Sequence, residues 1–529
     1  MSETHEQSGV PISKGLLLLN STSTALAWTA NLGLLVWLQQ YLLSRIPPAE
    51  YSLYPVFTSI LLFLLVVKAV FTGGIARYLM AARSHNDTES VSEIVSTTFV
   101  LNVGIASLFL AIGLPIAANI ERVITVAPGY YADARIMMGV MVASFALRIA
   151  LASFESGLVV EQRFVTISAV NLSQTVLRLI LLLILVVGIS PRVIWVAFAT
   201  EGANLAGIAA TVVLSRRAVP SLRFDWRSVR LARLPQLLSF GSWTFVMHIA
   251  NRIRMAADPI ILNQLAGPMD VTIFYIGNLV PKNLTMVSGN ATMAILPSLT
   301  AMHETGQQER LRNTYHRYGR VMSWIILVVA TPLVVLRREI IELYVGNRFA
   351  GAAVVLLMLM ISTVIEQSYS GLPKAAYATA RMRGISLLSI VAQVVNLGIT
   401  IVLVSAFRMG AFGAALSTLL VRGGFELVAF SWFGTALLGV SYGKWLRDAL
   451  GRGLLPALAA APVMYAVRAL SPVETWTAVA WQSAIGIAVF MAALLFLAAA
   501  REDRADLMRL ARWAVKSVRP ATGSGTAGS

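Results

Sequence analysis

The 529-residue chain contains no cysteine, which removes disulfides, thiolate metal sites and thiol nucleophiles together. Its five histidines, His5, His85, His248, His303 and His316, are scattered at spacings that build no metal site. Charge is scarce as well. Asp, Glu, Lys and Arg make up 13% of the residues and hydrophobic residues 57%, whereas a soluble domain is about a quarter charged. The connecting segments hold no phosphate-binding glycine loop, paired carboxylates or nucleophile constellation. Neither a catalytic residue nor a metal or other cofactor is therefore expected. The start of the chain is polar and slightly acidic, unlike the basic opening of a cleaved signal peptide, so the first apolar run is expected to stay in place.

What remains is apolar and long. A helix needs about 20 mostly apolar residues to cross the hydrocarbon core. Runs of that kind lie near 15–43, 52–80, 92–118, 134–160, 165–187 and 191–214. A second group lies near 235–263, 271–299, 318–336, 350–378, 385–406 and 411–435, and a last pair near 453–469 and 475–499. Pro456 and Pro462 interrupt the penultimate run. The expectation is an all-α polytopic membrane protein of about 14 transmembrane helices.

The excess of basic residues, a net charge of +17, is unevenly placed. The connections on one side carry Lys14, Arg77, Arg83 and Arg163, then six arginines between Arg216 and Arg233, and further basic groups through to the tail. The other side carries only isolated arginines such as Arg45, Arg122 and Arg192. Positive charge marks the cytoplasmic side, so both termini are expected there, as an even helix count requires. The charge is thus a topology signal, and nucleic acid is not an expected partner. In the tail, 501–519 places Leu507, Leu510, Ala511, Ala514 and Val518 on one helical face, which suits a helix lying on an anionic leaflet or packed on the protein. Residues 520–529 are low in complexity and expected to be disordered.

An internal repeat relates the two groups of six. "PAEYSLYPV" begins at Pro48 and "PMDVTIFYI" at Pro268, 220 residues later, matching Glu50 to Asp270 and Tyr54 to Phe274. The same offset pairs Arg163 with Arg383 and keeps all six runs in register. An even number of helices per unit makes the repeats parallel, and substrate sites of such folds lie at the repeat interface. The organisation expected is a cytoplasmic N-terminus 1–14, an N-lobe 15–214, a basic inter-lobe loop 215–234, a C-lobe 235–435, two further helices in 436–499 and a basic amphipathic cytoplasmic tail 500–529. The two six-helix lobes should face a central cavity.

Eight basic groups fall inside these runs. Each would cost about 2.5–3.5 kcal/mol facing lipid at the bilayer centre, so they must be paired or meet water. Arg254 with Asp258, and Arg422 with Glu426, are one turn apart and can pair on one helix. Arg148 with Glu155 and Arg178 with Glu201 can pair as well, and Lys374 can snorkel. Lys68, Arg252 and Lys282 have no evident partner. Lys282 shares a helical face with Asn278 and Thr285, and Asn31 belongs to a milder polar stripe on the first run. Three unpaired bases point to a water-filled cavity of positive potential, suited to an anion. The other reading is that carboxylates placed elsewhere neutralise them.

Several segments then resemble a known family. "RIPPAEYSLYPVF" followed by "FTGGIARYL" is similar to the second helix of the Wzx-like polysaccharide-transporter flippases. "ESGLVVEQRF" resembles their fourth-to-fifth helix junction, "LRFDWRSVRLARLPQLLSFGSWTF" their link between lobes, and "ADPIILNQLAG" the end of their seventh helix. The resemblance spans roughly residues 15–435. Ser52 stands where the family usually has glycine, and the last two helices exceed the family's common twelve. Membership implies the fold of the multidrug/oligosaccharidyl-lipid/polysaccharide exporters and alternating access at the bacterial inner membrane. It implies as cargo a lipid-linked anionic glycan on undecaprenyl diphosphate, and as neighbours a polymerase and other polysaccharide-assembly membrane proteins. Lys68, Arg252 and Lys282 would then compensate the diphosphate, with Asn31, Arg254, Asp258, Asn278 and Thr285 lining the cavity or coupling it.

Three alternatives remain. A lipid II-type peptidoglycan precursor flippase would be expected to have a basic first helix, yet no charge lies between Lys14 and Arg45. A multidrug exporter of cations would want acidic cavity residues, and Asp258 is the clear candidate. A membrane-bound polymerase or glycosyltransferase would need a large outer loop or a soluble domain, and neither is legible.

Overall fold

The computed structural model describes residues 37–61, 87–161, 163–233, 242–293, 295–379 and 381–499, together with 33, 79, 82, 503 and 504. Among them no strand occurs, and the chain forms the expected all-α polytopic membrane protein. The runs at 15–43 and 52–80 lie largely outside the described residues, so the count of fourteen stays an expectation. The other twelve are helices. They are α1 (Thr88–Ala118), α2 (Tyr131–Glu155), α3 (Phe164–Leu182), α4 (Val193–Ala218), α5 (Ser242–Leu265) and α6 (Pro268–Met293). They continue as α7 (Gln308–Val335), α8 (Ala352–Ser368), α9 (Met382–Ser405), α10 (Gly410–Leu420), α11 (Arg452–Leu470) and α12 (Trp476–Ala493). α3 and α12 run on through the wider π turns Leu183–Ile189 and Leu494–Ala498, and α10 through Val421–Glu426 into Leu427–Leu438.

Two boundaries differ from the reading by hydropathy. α7 starts ten residues before 318 because an amphipathic helix continues into water where the apolar run has stopped. α11 is unbroken although Pro456 and Pro462 lie inside it, since a proline removes one donor and neighbouring helices can absorb the fault.

The chain divides into two compact units, Met1–Thr272 with Thr400–Ala411, and Ile273–Ile399 with Phe412–Ser529. In the first, α1 packs on α2, and α2 and α3 pack on α4. Phe145, Ala146 and Ile149 of α2 meet Ala106 of α1, and Asn102 donates to Ser153 across the same pair at 2.9 Å. Buried apolar contact holds such helices, and the polar pair satisfies groups that lipid could not. In the second unit α7 is the hub: α8, α11 and α12 all pack on it. Val335 and Leu336 at its C-terminal end meet Met464 of α11 and Val479 of α12. Nearby, Arg468 pairs with Glu339 at 2.5 Å and caps the Val335 carbonyl at 3.2 Å.

The repeat is visible in burial. α1 and α7 begin 220 residues apart, as their register requires. The outer helices of the repeat correspond, with 11% of the apolar stretch of α3 buried and 22% of that of α9. α1 and α7 do not correspond: 17% of one stretch is buried and 67% of the other. α11 and α12 pack over α7, and among the described residues no helix pair packs on α1 in that way. The last helix pair, which has no partner in the expected repeat, thus packs on the hub of the second unit.

In the connection between α1 and α2, Glu121 accepts from Arg135 of the first turns of α2, which holds the Glu121 carboxyl below the usual carboxylate range. The pair is exposed and contributes little to stability.

Candidate functional site

Ten helices among the described residues are long and apolar enough to cross a membrane, and α5 and α6 are not among them although they have 24 and 26 residues. Their sequences explain it. α5 carries Arg252, Arg254 and Asp258, and α6 carries Asp270, Asn278, Lys282 and Asn283. A helix of that polarity within a membrane must turn to protein or water. Each also has an internal proline beside a charge, Pro259 after Asp258 and Pro281 before Lys282. The proline removes a backbone donor and leaves a carbonyl one turn earlier to be satisfied otherwise.

The candidate residues fall as follows. Lys68 and Asn31 lie outside the described residues. Arg252 is on α5, but its side chain lies outside them too. Arg254 is half-buried and Asp258 buried, one turn apart on α5, and both have interaction partners. On α6, Asn278, Lys282 and Thr285 are all half-buried at spacings of four and three, so they share one face. The Thr285 hydroxyl donates back to the Pro281 carbonyl at 3.0 Å, so it is satisfied within its own helix. Among the described residues no carboxylate forms an ion pair with Lys282. Arg252, Arg254 and Asp258 belong to the first unit and Lys282 to the second.

The other embedded charges form networks across helices. In the first unit Glu201 on α4, 5% exposed, accepts from Ser144 of α2 at 2.6 Å and from Asn204 at 3.3 Å. Gln174 of α3 then donates to Asn204 at 2.7 Å. In the second unit Glu426 accepts from Tyr369, just beyond α8, at 2.5 Å and from Gln393 of α9 at 3.3 Å. Arg422 forms an ion pair with Glu366 of α8, at 3.1 Å, so this charge is met across helices. The expectation of a pair within one turn treated the segment as an α-helix, but Val421–Glu426 is a π turn, and wider turns change which side chains are stacked. Each unit therefore holds a buried carboxylate on its sixth repeat helix, bonded directly by a group from its fourth; the fifth reaches Glu426 directly through Gln393 and Glu201 through Asn204. Sequence reading found Glu201, Arg422 and Glu426. It missed Ser144, Gln174, Glu366, Tyr369 and Gln393, whose only signal is polarity inside an apolar run.

The fold matches solved transporters. The inward closed conformation of the lipid II flippase MurJ superposes with a TM-score of 0.68 at 13% identity, over 90% of this chain and 97% of that one. The inward-facing conformation of a multidrug resistance MATE family transporter of the MOP superfamily gives 0.63 at 14% identity, over 78% of this chain and 95% of that one. Many apolar helices in this fold, with the polar groups gathered on two helices and in buried networks, define a polytopic membrane protein that shares the fold of these transporters. The chain belongs to the polysaccharide biosynthesis protein family, whose model matches residues 42–354. A relative in Bacillus subtilis (strain 168), the uncharacterized membrane protein EpsK, is 19% identical over 469 residues, 87% of this chain and 90% of its own length.

Proposed function

We propose that the protein carries an anionic lipid-linked oligosaccharide, of the undecaprenyl-diphosphate type, across the bacterial inner membrane by alternating access. Both termini lie in the cytoplasm on this reading, and the glycan feeds cell-surface or exopolysaccharide synthesis. Family membership supports the polysaccharide, and the observation that carries the anion is Lys282. It is half-buried on a helix too polar to face lipid, with no ion pair among the described residues. A diphosphate needs compensating cations to leave water, and an uncompensated lysine gains the same from an anion. Lys68 and Arg252 complete the proposed cationic set, with Asn31, Arg254, Asp258, Asn278 and Thr285 lining or coupling it.

The test replaces Lys68, Arg252 and Lys282 singly by glutamine and follows surface polymer in cells, with membrane abundance as control. Loss of polymer at normal abundance is expected. Wild-type polymer from all three variants would overturn the cationic site. Loss of peptidoglycan precursor in place of polymer would redirect the reading to a lipid II-type cargo.

A further inference from the structure

The segment that follows α4 is a strap fastened to α1. Its root is apolar: Val219 and Leu222 are buried in a cluster with Val91, Ile94 and Val95 of α1. Phe224 stacks edge-on against Phe99 of α1, with centroids 5.0 Å apart. Two backbone groups then fix its course, Asp225 N–H donating to Ser96 Oγ and Arg230 N–H to Thr97 Oγ1, each at 2.9 Å. The Asp225 carboxylate is spent within the strap, accepting from Arg227 N–H and Ser228 Oγ.

The anchoring points set a depth. α1 has 31 residues, about 46 Å at 1.5 Å per residue, more than the roughly 30 Å of hydrocarbon. Counted back from Ala118, the uncharged stretch that can lie in hydrocarbon begins near Phe99, and Glu89 and Glu93 stand before it. Ser96 and Thr97 are thus at the edge of the hydrocarbon, and the strap with them. At that level it exposes Trp226 at 75% and Leu231 at 59%. Arg223, Arg227 and Arg230 are exposed alongside them, Arg230 keeping most of its side chain in the open while it stands 4.0 Å from Glu93 of α1. Tryptophan belongs at the membrane–water interface, and clustered basic groups there attract anionic headgroups.

We propose that the strap 219–233 binds anionic phospholipid headgroups, with Trp226 and Leu231 seated among the glycerol and upper acyl groups and Arg223, Arg227 and Arg230 on the phosphates. The proposal is independent of the cargo. It rests on the orientation given above only in assigning the contact to the cytoplasmic leaflet.

The absence of native cysteine makes the test direct. Leu231→Cys in the full chain is labelled with an environment-sensitive fluorophore and reconstituted in nanodiscs of phosphatidylcholine with phosphatidylglycerol. Quenching by spin-labelled phosphatidylglycerol is compared with quenching by spin-labelled phosphatidylcholine and by aqueous iodide. The expected result is several-fold stronger quenching by the anionic lipid, falling toward parity at high salt, with weak quenching by iodide. Adding Arg223→Gln, Arg227→Gln and Arg230→Gln should abolish the preference, each basic group at such a surface being worth on the order of fivefold. If the triple variant misfolds, the salt titration of the intact strap gives the same answer. Strong iodide quenching with no lipid preference would overturn the proposal and leave the strap as a surface for a soluble protein. Labelling of the same cysteine from outside intact cells, by an impermeant reagent, would overturn the cytoplasmic assignment.

Discussion

The carboxylate of Glu50 accepts a 2.7 Å hydrogen bond from the backbone N–H of Val193. It thereby holds the first turn of α4 from another helix. The matching residue of the repeat does the same, Asp270 accepting from the backbone N–H of Ala411 in the first turn of α10 at 2.8 Å. A helix N-terminus has unsatisfied donors and partial positive charge, so a buried carboxylate there answers both. The repeat is therefore conserved within the chain as a device and not only as a string of letters. Glu50→Ala and Asp270→Ala should each lower stability by about 1–2 kcal/mol. Thermal unfolding in detergent checks this, and unchanged midpoints would remove the capping role. Gly410 belongs to the same device: its φ is +52° and a Cβ would collide with Asp270 Oδ1, so Gly410→Ala should destabilise as well.

Asp503, 2% exposed, pairs with Arg317 at 2.8 Å and Arg320 at 2.5 Å on α7. Beside it, Arg504 caps the Phe496 carbonyl at the end of the last span, at 3.0 Å. The start of the tail is thus tied to the hub of the second unit. Asp503→Ala leaves two arginines without this carboxylate and should cost about 3 kcal/mol. The readout is the thermal midpoint together with protease sensitivity of the tail, and neither should move if the pair is dispensable.

Arg422 and Glu366 should behave as a coupled pair. Arg422→Met or Glu366→Leu alone strands a buried charge, whereas the double replacement removes both. A double-mutant cycle on folded yield or midpoint should give a coupling of about 1–3 kcal/mol. Simple additivity would show that each charge is satisfied elsewhere.

Asn263, 1% exposed, bonds both ways with the backbone of Thr125, accepting at 2.9 Å and donating at 3.0 Å. This ties the end of α5 to the connection between α1 and α2. Asn263→Asp keeps the shape but places an acceptor against the Thr125 carbonyl. It should cost about 2 kcal/mol, and more than Asn263→Ser. Equal effects of the two would show that the donor is not needed.

Legibility followed range. The helix positions from 88 onward were readable because a span is a local property, set by apolar length. The starts of α1 and α7 were read late because hydropathy ends where the helix continues into water. Of the candidate site, the polarity of α5 and α6 was readable residue by residue. The partners of Glu201 and Glu426 were not, since Ser144, Tyr369 and Gln393 look like ordinary polar residues in apolar runs until the helices are packed.

By itself the sequence determined the membrane class, the helical period and the parallel repeat. Composition and the apolar length of a span are local, and a repeat of letters is read from the chain without its folding. Only the tertiary structure decided that Arg422 meets Glu366, that Asp503 meets Arg317 and Arg320, and that α11 and α12 cover α7. The physical reason is that a charge in a low-dielectric interior takes whichever counter-charge or donor the packing presents. Packing is settled by the faces of helices far apart in sequence, and spacing along one helix does not contain it.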